Sequence, residues 1–195
     1  IDPDSRFQCS NGITFLYKDF IIPDSLYKGA ITLEGEDLIE LVGADKYGWK
    51  DGVSVTGEIV EPELAISDRA SNGALVNVSL GRRFSGSYTL EFGIPDVLPM
   101  KYGLEWRGNF RPSGLYAIYV NDEKIGEFDS FWFNRSIISV TGERFLSDNG
   151  YNTKDFWVEN LSEYGEVRIR FEFIDSGDQS SNGLNIDFIK LIPEN

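Results

Sequence analysis

The sequence has 195 residues, of which 41% are hydrophobic and 14% aromatic, so it is long and apolar enough to bury one sizeable core. Its formal net charge of −14 disfavours binding to nucleic acid or to anionic lipid headgroups. It has no histidine and a single cysteine, Cys9, which excludes a histidine-dependent triad, an internal disulfide and a cysteine-rich zinc site. No apolar run reaches the roughly 18 residues that would predict a membrane-spanning helix.

The first predicted element is a strand over residues 11–20, because apolar side chains occupy alternate positions there. The composition changes near Pro23, ahead of a stretch of mixed character. We therefore interpret residues 1–28 as an appendage and residues 29–195 as one β domain. Because the chain opens with Ile1 rather than Met, we expect any export signal or lipid anchor to lie upstream.

One short segment has a helical pattern. Leu38, Leu41 and Val42 fall on one face of a helix over residues 36–42, which predicts about two helical turns there. A helix of this length would not change the fold class, because the pattern of the following sequence has a period of two.

Alternation of apolar and polar residues dominates the rest of the chain and predicts β-strands. In one clear example, Val167, Ile169 and Phe171 alternate with Arg168 and Arg170, as in a strand with one buried and one solvated face. The strands with the most regular patterns are Tyr88–Phe92, Leu115–Val120, Val167–Phe173 and Leu184–Ile192. Turn-forming clusters of Gly, Asn, Asp, Ser and Pro separate them, so we predict an all-β, antiparallel β-sandwich of jelly-roll type.

Leu115–Val120 is apolar on both faces, which predicts a strand in the interior of a sheet. It leads through Asn121 and Asp122 into a second apolar segment that ends near Phe128. This arrangement indicates a β-hairpin.

The segment from Cys9 to Phe20, CSNGITFLYKDF, is followed closely by Pro23. It resembles the closing strand of a fasciclin-type domain, where an Asn-Gly pair and a hydrophobic strand precede an Asp and a Pro. The resemblance implies that the chain is the C-terminal part of a longer surface protein.

A second resemblance rests on residues 114–126 (GLYAIYVNDEKIG), 165–171 (GEVRIRF) and 183–193 (GLNIDFIKLIP). These segments are similar to strands of galactose-binding-like jelly rolls, which include many carbohydrate-binding modules. Related domains often hold a structural calcium ion through an acidic residue of the last strand, and the resemblance implies this role for Asp187. Joined to a fasciclin-like end, the domain resembles surface lipoproteins of gram-negative glycan-degrading bacteria. This implies an extracellular or cell-surface location, with an outer-membrane anchor upstream.

Sugars stack their C–H faces on aromatic rings, while amides, carboxylates and guanidinium groups bind their hydroxyls. Aromatic residues in loops with such neighbours are therefore candidates for glycan binding. The candidate ligand-binding residues are Trp49, Trp132, Tyr151, Asn149, Asn152 and Arg69. The alternative is that the rings build core, as we expect for Trp106 and Trp157, and that Arg69 forms a surface salt bridge.

The sequence contains no nucleophile elbow, no phosphate-binding loop and no redox cysteine pair. A pair of glycosidase carboxylates could be chosen almost anywhere among 32 acidic residues, so such a pair is not informative. We predict that the chain is not an enzyme and that it is a non-catalytic, surface-displayed carbohydrate-binding module. Its expected partner is a glycan, with other surface proteins as further partners. The alternative is a structural spacer or adhesion domain that binds another protein and no sugar.

Overall fold

The computed structural model describes residues 6–9, 12–15, 29–58, 60–68, 70–81, 84–109, 114–129, 146–148, 151–158, 161, 163–175 and 182–193. Strands account for most of these residues, and none of them belongs to an α-helix. Within this part of the chain, no helix is long and apolar enough to span a membrane.

The described residues form seventeen β-strands, numbered in chain order, and one short 3-10 helix. The strands are β1 (Arg6–Cys9), β2 (Gly12–Phe15), β3 (Ile31–Glu34), β4 (Ile39–Gly43), β5 (Lys46–Trp49), β6 (Ser54–Gly57), β7 (Glu63–Ile66), β8 (Ala74–Gly81), β9 (Tyr88–Val97), β10 (Tyr102–Asn109), β11 (Leu115–Val120), β12 (Glu123–Asp129), β13 (Leu146–Asp148), β14 (Tyr151–Val158), β15 (Gly165–Asp175), β16 (Asn182–Ile186) and β17 (Phe188–Pro193). The 3-10 helix, Gly35–Leu38, joins β3 to β4.

Three antiparallel sheets contain most of these strands. Sheet I has the strand order β13-β14-β10-β17-β3, sheet II has the order β12-β11-β15-β9-β6, and sheet III has the order β16-β8-β7. The hairpins β1-β2 and β4-β5 complete the pairing in the described part of the chain. This arrangement confirms the predicted all-β, antiparallel β-sandwich of jelly-roll type. Strand β11 lies between β12 and β15, as its apolar character on both faces predicted.

The main hydrophobic core lies between the sheets. Sheet II contributes inward-facing rings such as Phe92 and Phe171, and sheet I contributes Trp106. The ring centroids of Trp106 and Phe171 are 6.2 Å apart, so aromatic side chains join the two sheets directly. Trp106 is 2% exposed, which confirms its predicted place in the core. Full burial of each large apolar side chain stabilises the fold by about 1.5–3 kcal/mol.

The last predicted strand, Leu184–Ile192, is two strands in the structure, and this part of the prediction was wrong. Strand β16 pairs with β8 in sheet III, whereas β17 pairs with β10 and β3 in sheet I. The chain bends between them at Asp187. The N–H of Asp187 donates to the Arg107 carbonyl at 2.9 Å, and its own carbonyl accepts the Gly35 N–H at 2.7 Å. Because these bonds hold the bend, one apolar run contributes to two sheets.

The predicted helix over residues 36–42 was also wrong over most of its length. The 3-10 helix ends at Leu38, and β4 begins at Ile39 and pairs with β5. An isolated helix of two turns is marginally stable, whereas pairing with β5 satisfies the backbone of β4 along its length. The 3-10 helix also passes close to β16, since a Cβ added to Gly35 would lie 2.0 Å from the Ile186 carbonyl oxygen.

Before residue 29, the described backbone is the hairpin of β1 and β2, which pair with each other. Strand β2 falls within the strand predicted over residues 11–20. Strand β1 was not predicted, because its four residues are too few for an alternating pattern to stand out. The boundary between residues 28 and 29 stays a prediction.

Two core tyrosines differ in how their hydroxyls are satisfied. The Tyr88 hydroxyl is buried with no hydrogen-bond partner among the described residues, whereas the Tyr102 hydroxyl donates to the Leu98 carbonyl at 3.2 Å. We expect Tyr88→Phe to leave the free energy of unfolding unchanged or to raise it by up to about 1 kcal/mol, because an unsatisfied polar group is removed. Tyr102→Phe should lower it by about 1 kcal/mol. Urea denaturation of both variants measures the difference, and equal losses would contradict it.

Tyr88→Phe also tests how the stability of the fold depends on pH. Burial raises the pKa of Tyr88 above its ordinary value of 10.0, so the folded phenol stays neutral where the unfolded phenol ionises. The stability contributed by the neutral Tyr88 should therefore be fully present below pH 10.0 and be lost as the pH rises further. Tyr88→Phe should reduce this alkaline loss, as measured by thermal melting across that pH range.

Candidate functional site

Trp49 is only partly exposed, and its ring packs against the main core. Its indole N–H donates to the Val60 carbonyl at 3.3 Å, so the polar edge of the ring already has a partner. Part of its ring surface is therefore committed to the fold, and the role predicted for Trp49 in ligand binding stays a prediction.

The described part of the structure does not include the side chains of the other predicted ligand-binding residues. Trp132, Asn149 and Arg69 lie outside the described residues. Tyr151 and Asn152 begin strand β14 at the rim of sheet I, and their side chains lie outside the described part. Their predicted roles are untested.

Asp187, the predicted calcium ligand, is fully buried at the bend between β16 and β17. Its Oδ1 accepts the Ser71 N–H at 2.9 Å, and its Oδ2 lies 3.2 Å from the Arg107 guanidinium at ion-pair distance. The Ser71 hydroxyl lies 2.9 Å from Oδ1 and 2.5 Å from Glu34 Oε2, so its one proton can serve either carboxylate. Within the described ranges, no three acidic or cysteine side chains are grouped to hold a metal. The residues around Asp187 therefore do not fit a calcium site, because a guanidinium supplies the counter-charge there.

A shallow depression of about 360 Å³ lies on the outer face of sheet II. Polar side chains from three adjacent strands line it: Ser54, Thr56, Thr89, Glu91, Arg170 and Glu172. Adjacent strands are about 4.8 Å apart, so the lining spans roughly 10 Å across the sheet. We call this surface the sheet II depression.

The strand register arranges this lining in two rows. In the first row, Glu91 lies opposite Ser54 on one side and Arg170 on the other. In the second row, Thr89 lies opposite both Thr56 and Glu172. Outward positions of antiparallel strands repeat every second residue, so each strand supplies two neighbouring side chains.

Arg170 is held by contacts on several sides. Its Nη1 lies 3.1 Å from Asp122 Oδ1 and 3.8 Å from Glu91 Oε2. Its guanidinium carbon lies 4.2 Å from the centroid of the Tyr119 ring, on the neighbouring strand β11. Stacking on a ring and pairing with carboxylates both limit the rotamers of an arginine. Arg170 therefore stands in a defined position at the edge of the sheet II depression.

The turn between β11 and β12 supplies the carboxylate that holds Arg170. Asn121 and Asp122 have φ angles of 47° and 68°, the left-handed conformation that tight hairpin turns require. Asn121 Oδ1 accepts the Arg168 N–H at 2.9 Å, which ties the turn to β15. Asp122 then uses one oxygen for Arg168 and the other for Arg170. Glycine is easier to place in this conformation, so the aspartate accepts strain and supplies a carboxylate that glycine lacks.

The sheet II depression offers the groups that bind sugar hydroxyls: carboxylate acceptors, a guanidinium donor and hydroxyls that do both. The sequence did not predict this surface, because the residues expected to bind glycan were aromatic residues in loops and their polar neighbours. The available signal was the outward set of each alternating strand, including Thr89 and Glu91 on one strand and Arg170 and Glu172 on another. Only the strand order places these sets side by side.

Neither a protein-family model nor a curated protein sequence matches the chain. Among solved structures, a Paenibacillus xanthan lyase matches with 18% identity and a TM-score of 0.53, over 72% of this chain and 12% of that one. A family 35 carbohydrate-binding module from Clostridium thermocellum matches with 14% identity and a TM-score of 0.48, over 85% and 99% of the two chains. CBM35 from Paenibacillus barcinonensis matches with 18% identity and a TM-score of 0.46, over 84% and 99%. The chain thus spans about an eighth of the xanthan lyase and shares a fold with that part of it.

The contacts of Asp187 predict a large cost for its removal. Asp187→Ala should lower the free energy of unfolding by about 3–5 kcal/mol, because the half-buried Arg107 loses an ion-pair partner and Ser71 loses an acceptor. Glu61→Gln, which breaks the exposed ion pair with Lys46, should change stability by less than about 0.5 kcal/mol. Chemical denaturation of both variants tests this, and similar small effects would show that the bend does not depend on the carboxylate.

Proposed function

We propose that this chain is a non-catalytic carbohydrate-binding module and that the sheet II depression is its glycan-binding site. The observation that carries the proposal is the lining itself, in which hydroxyl, carboxylate and guanidinium groups meet on a rigid sheet. Sites built on strands hold their donors and acceptors in place better than sites built on loops. A short run of sugar rings across β6, β9 and β15 would find a hydrogen-bonding partner on each strand.

Binding without catalysis suits the shape of this surface. A glycosidase must place two carboxyl groups on either side of one glycosidic bond and shield the bond from bulk water. Glu91 and Glu172 lie on one open face, and the Arg170 side chain stands on the same strand as Glu172. An open, shallow face of this kind binds a chain along its length and does not enclose one linkage.

The proposal includes the setting that the sequence predicts. The module would be displayed outside the cell, after a fasciclin-like end at residues 1–28, in a lipoprotein anchored at the outer membrane. The proposal assigns no calcium to Asp187, since its contacts among the described residues do not fit a metal site. Further glycan contacts are proposed for Trp49, which ends β5, for Tyr151 and Asn152, which begin β14, and for Trp132, Asn149 and Arg69. The structure corrects the expected loop position of the first three, which lie in strands.

A structural spacer or adhesion domain is the second candidate function. Leu41 and Val42 at the hairpin of β4 and β5 are 63% and 56% exposed, and Ile66 at the end of β7 is 77% exposed. A contiguous apolar patch that included these side chains would favour contact with another protein. This candidate requires no bound sugar.

A glycan array followed by calorimetry tests the proposed function. We expect the purified chain to bind an oligosaccharide, and Arg170→Ala to weaken that binding at least tenfold. A hydrogen bond to a charged donor contributes about 1.5–3 kcal/mol, and each 1.4 kcal/mol corresponds to tenfold in affinity.

Arg168→Ala is the matched control. Arg168 lies on the same strand and pairs with the same two carboxylates, Asp122 and Glu91, but it does not line the depression. The Arg168→Ala variant should therefore retain its affinity for the oligosaccharide and melt at nearly the same temperature as Arg170→Ala. Loss of binding in Trp132→Ala or Tyr151→Ala alone would move the site to these aromatic residues, and absence of any binding on the array would favour the spacer.

A further inference from the structure

The sheet II depression carries an excess of negative charge. Two carboxylates, Glu91 and Glu172, face one guanidinium, that of Arg170. Arg170 is already paired with Asp122 and approached by Glu91, so little of its positive charge is left to attract an anion. The chain as a whole carries a net charge of −14, which adds repulsion at longer range.

Glu172 is the least compensated group in this lining. Among the described residues, it forms no hydrogen bond or ion pair, although Lys124 lies close enough for a favourable electrostatic interaction. The Lys124 ammonium is paired with Glu127 on its own strand. The Glu172 carboxylate is therefore left to accept hydrogen bonds from a ligand.

Arg170 is poorly arranged to bind a carboxylate of a ligand, because carboxylates of the protein already contact it. A guanidinium holds a carboxylate best through two parallel N–H donors. Its Nη1 is occupied by Asp122, and its Nε is buried without contact to solvent. The side-on fork through Nε and Nη2 is therefore closed, and a fork through Nη1 and Nη2 would have to compete with Asp122 for Nη1, whereas the N–H donors of Nη2 can each bind a sugar hydroxyl.

We propose that the sheet II depression selects glycans by charge, binding uncharged or amino-bearing sugars and rejecting uronic acids, with Glu172 as the specificity-determining residue. The inference rests on the proposed function and adds the chemical class of the ligand. A uronate carboxylate in the depression would lie near the Glu172 carboxylate, and two like charges at short range repel each other. A neutral hydroxymethyl or an ammonium group at the same place would instead donate a hydrogen bond to Glu172.

The test compares three forms of one ligand: the neutral oligosaccharide that binds best on the array, the same oligosaccharide oxidised to the uronate at C6, and the methyl ester of that uronate. The ester keeps the added bulk and removes the charge. We expect the uronate to bind about tenfold more weakly than the neutral form, and the ester to recover most of the affinity. In 1 M salt, where the screening length is about 3 Å, the difference should narrow.

Glu172→Gln should reduce the uronate penalty to less than about threefold, because the amide has nearly the same shape and no charge. Glu166→Gln is the matched control, since it removes one charge from the same strand outside the depression and should leave the penalty unchanged. Equal or tighter binding of the uronate by the wild-type chain would overturn the charge selection while leaving the proposed function standing. If no oligosaccharide binds at all, the proposed function falls and this inference falls with it.

Discussion

The buried carboxylate of Asp187 stands where the last apolar run of the chain passes from sheet III to sheet I. Its backbone N–H and carbonyl bond to Arg107 and Gly35, and its two carboxylate oxygens meet Ser71 and Arg107. Four separate segments of the chain are therefore held at one point. A buried charge is costly without partners, so this arrangement is stable only while all of these segments are in place. The requirement makes the bend a specific feature of the fold.

The bend at Asp187 determines how sheet II can pack against the other two sheets. With sheets I and III joined through it, their inner faces supply Trp106, Ile189 and Ile186 to the core. Sheet II covers that core with the inward side chains of β9, β11 and β15. Because the side chains of a strand alternate between faces, burying one set leaves the other in water. Strands β9 and β15, which place Leu90 and Phe171 in the core, therefore present Glu91 and Arg170 on the outer face.

The sheet II depression differs in kind from a platform of exposed aromatic rings. The Tyr119 ring is covered by the Arg170 guanidinium at 4.2 Å, so the aromatic group positions a polar donor. Asp122 completes this support from a left-handed turn position. Recognition through hydrogen bonds on such a surface depends on matching donors and acceptors, and unmatched charges are penalised.

Periodicity in the sequence determined the β class and the positions of β9, β11 and β15. It also determined which of their residues face the core, because successive side chains of a strand point to opposite faces. It also indicated the hairpin of β11 and β12 through its turn residues. It did not determine that residues 184–192 divide between two sheets, because local alternation does not reveal which strand a residue pairs with. Nor did it show that the helix would end at Leu38 and that the chain from Ile39 onward would pair with β5. The sheet II depression depends on three strands distant in sequence lying side by side, and that order is set by core packing and long-range pairing.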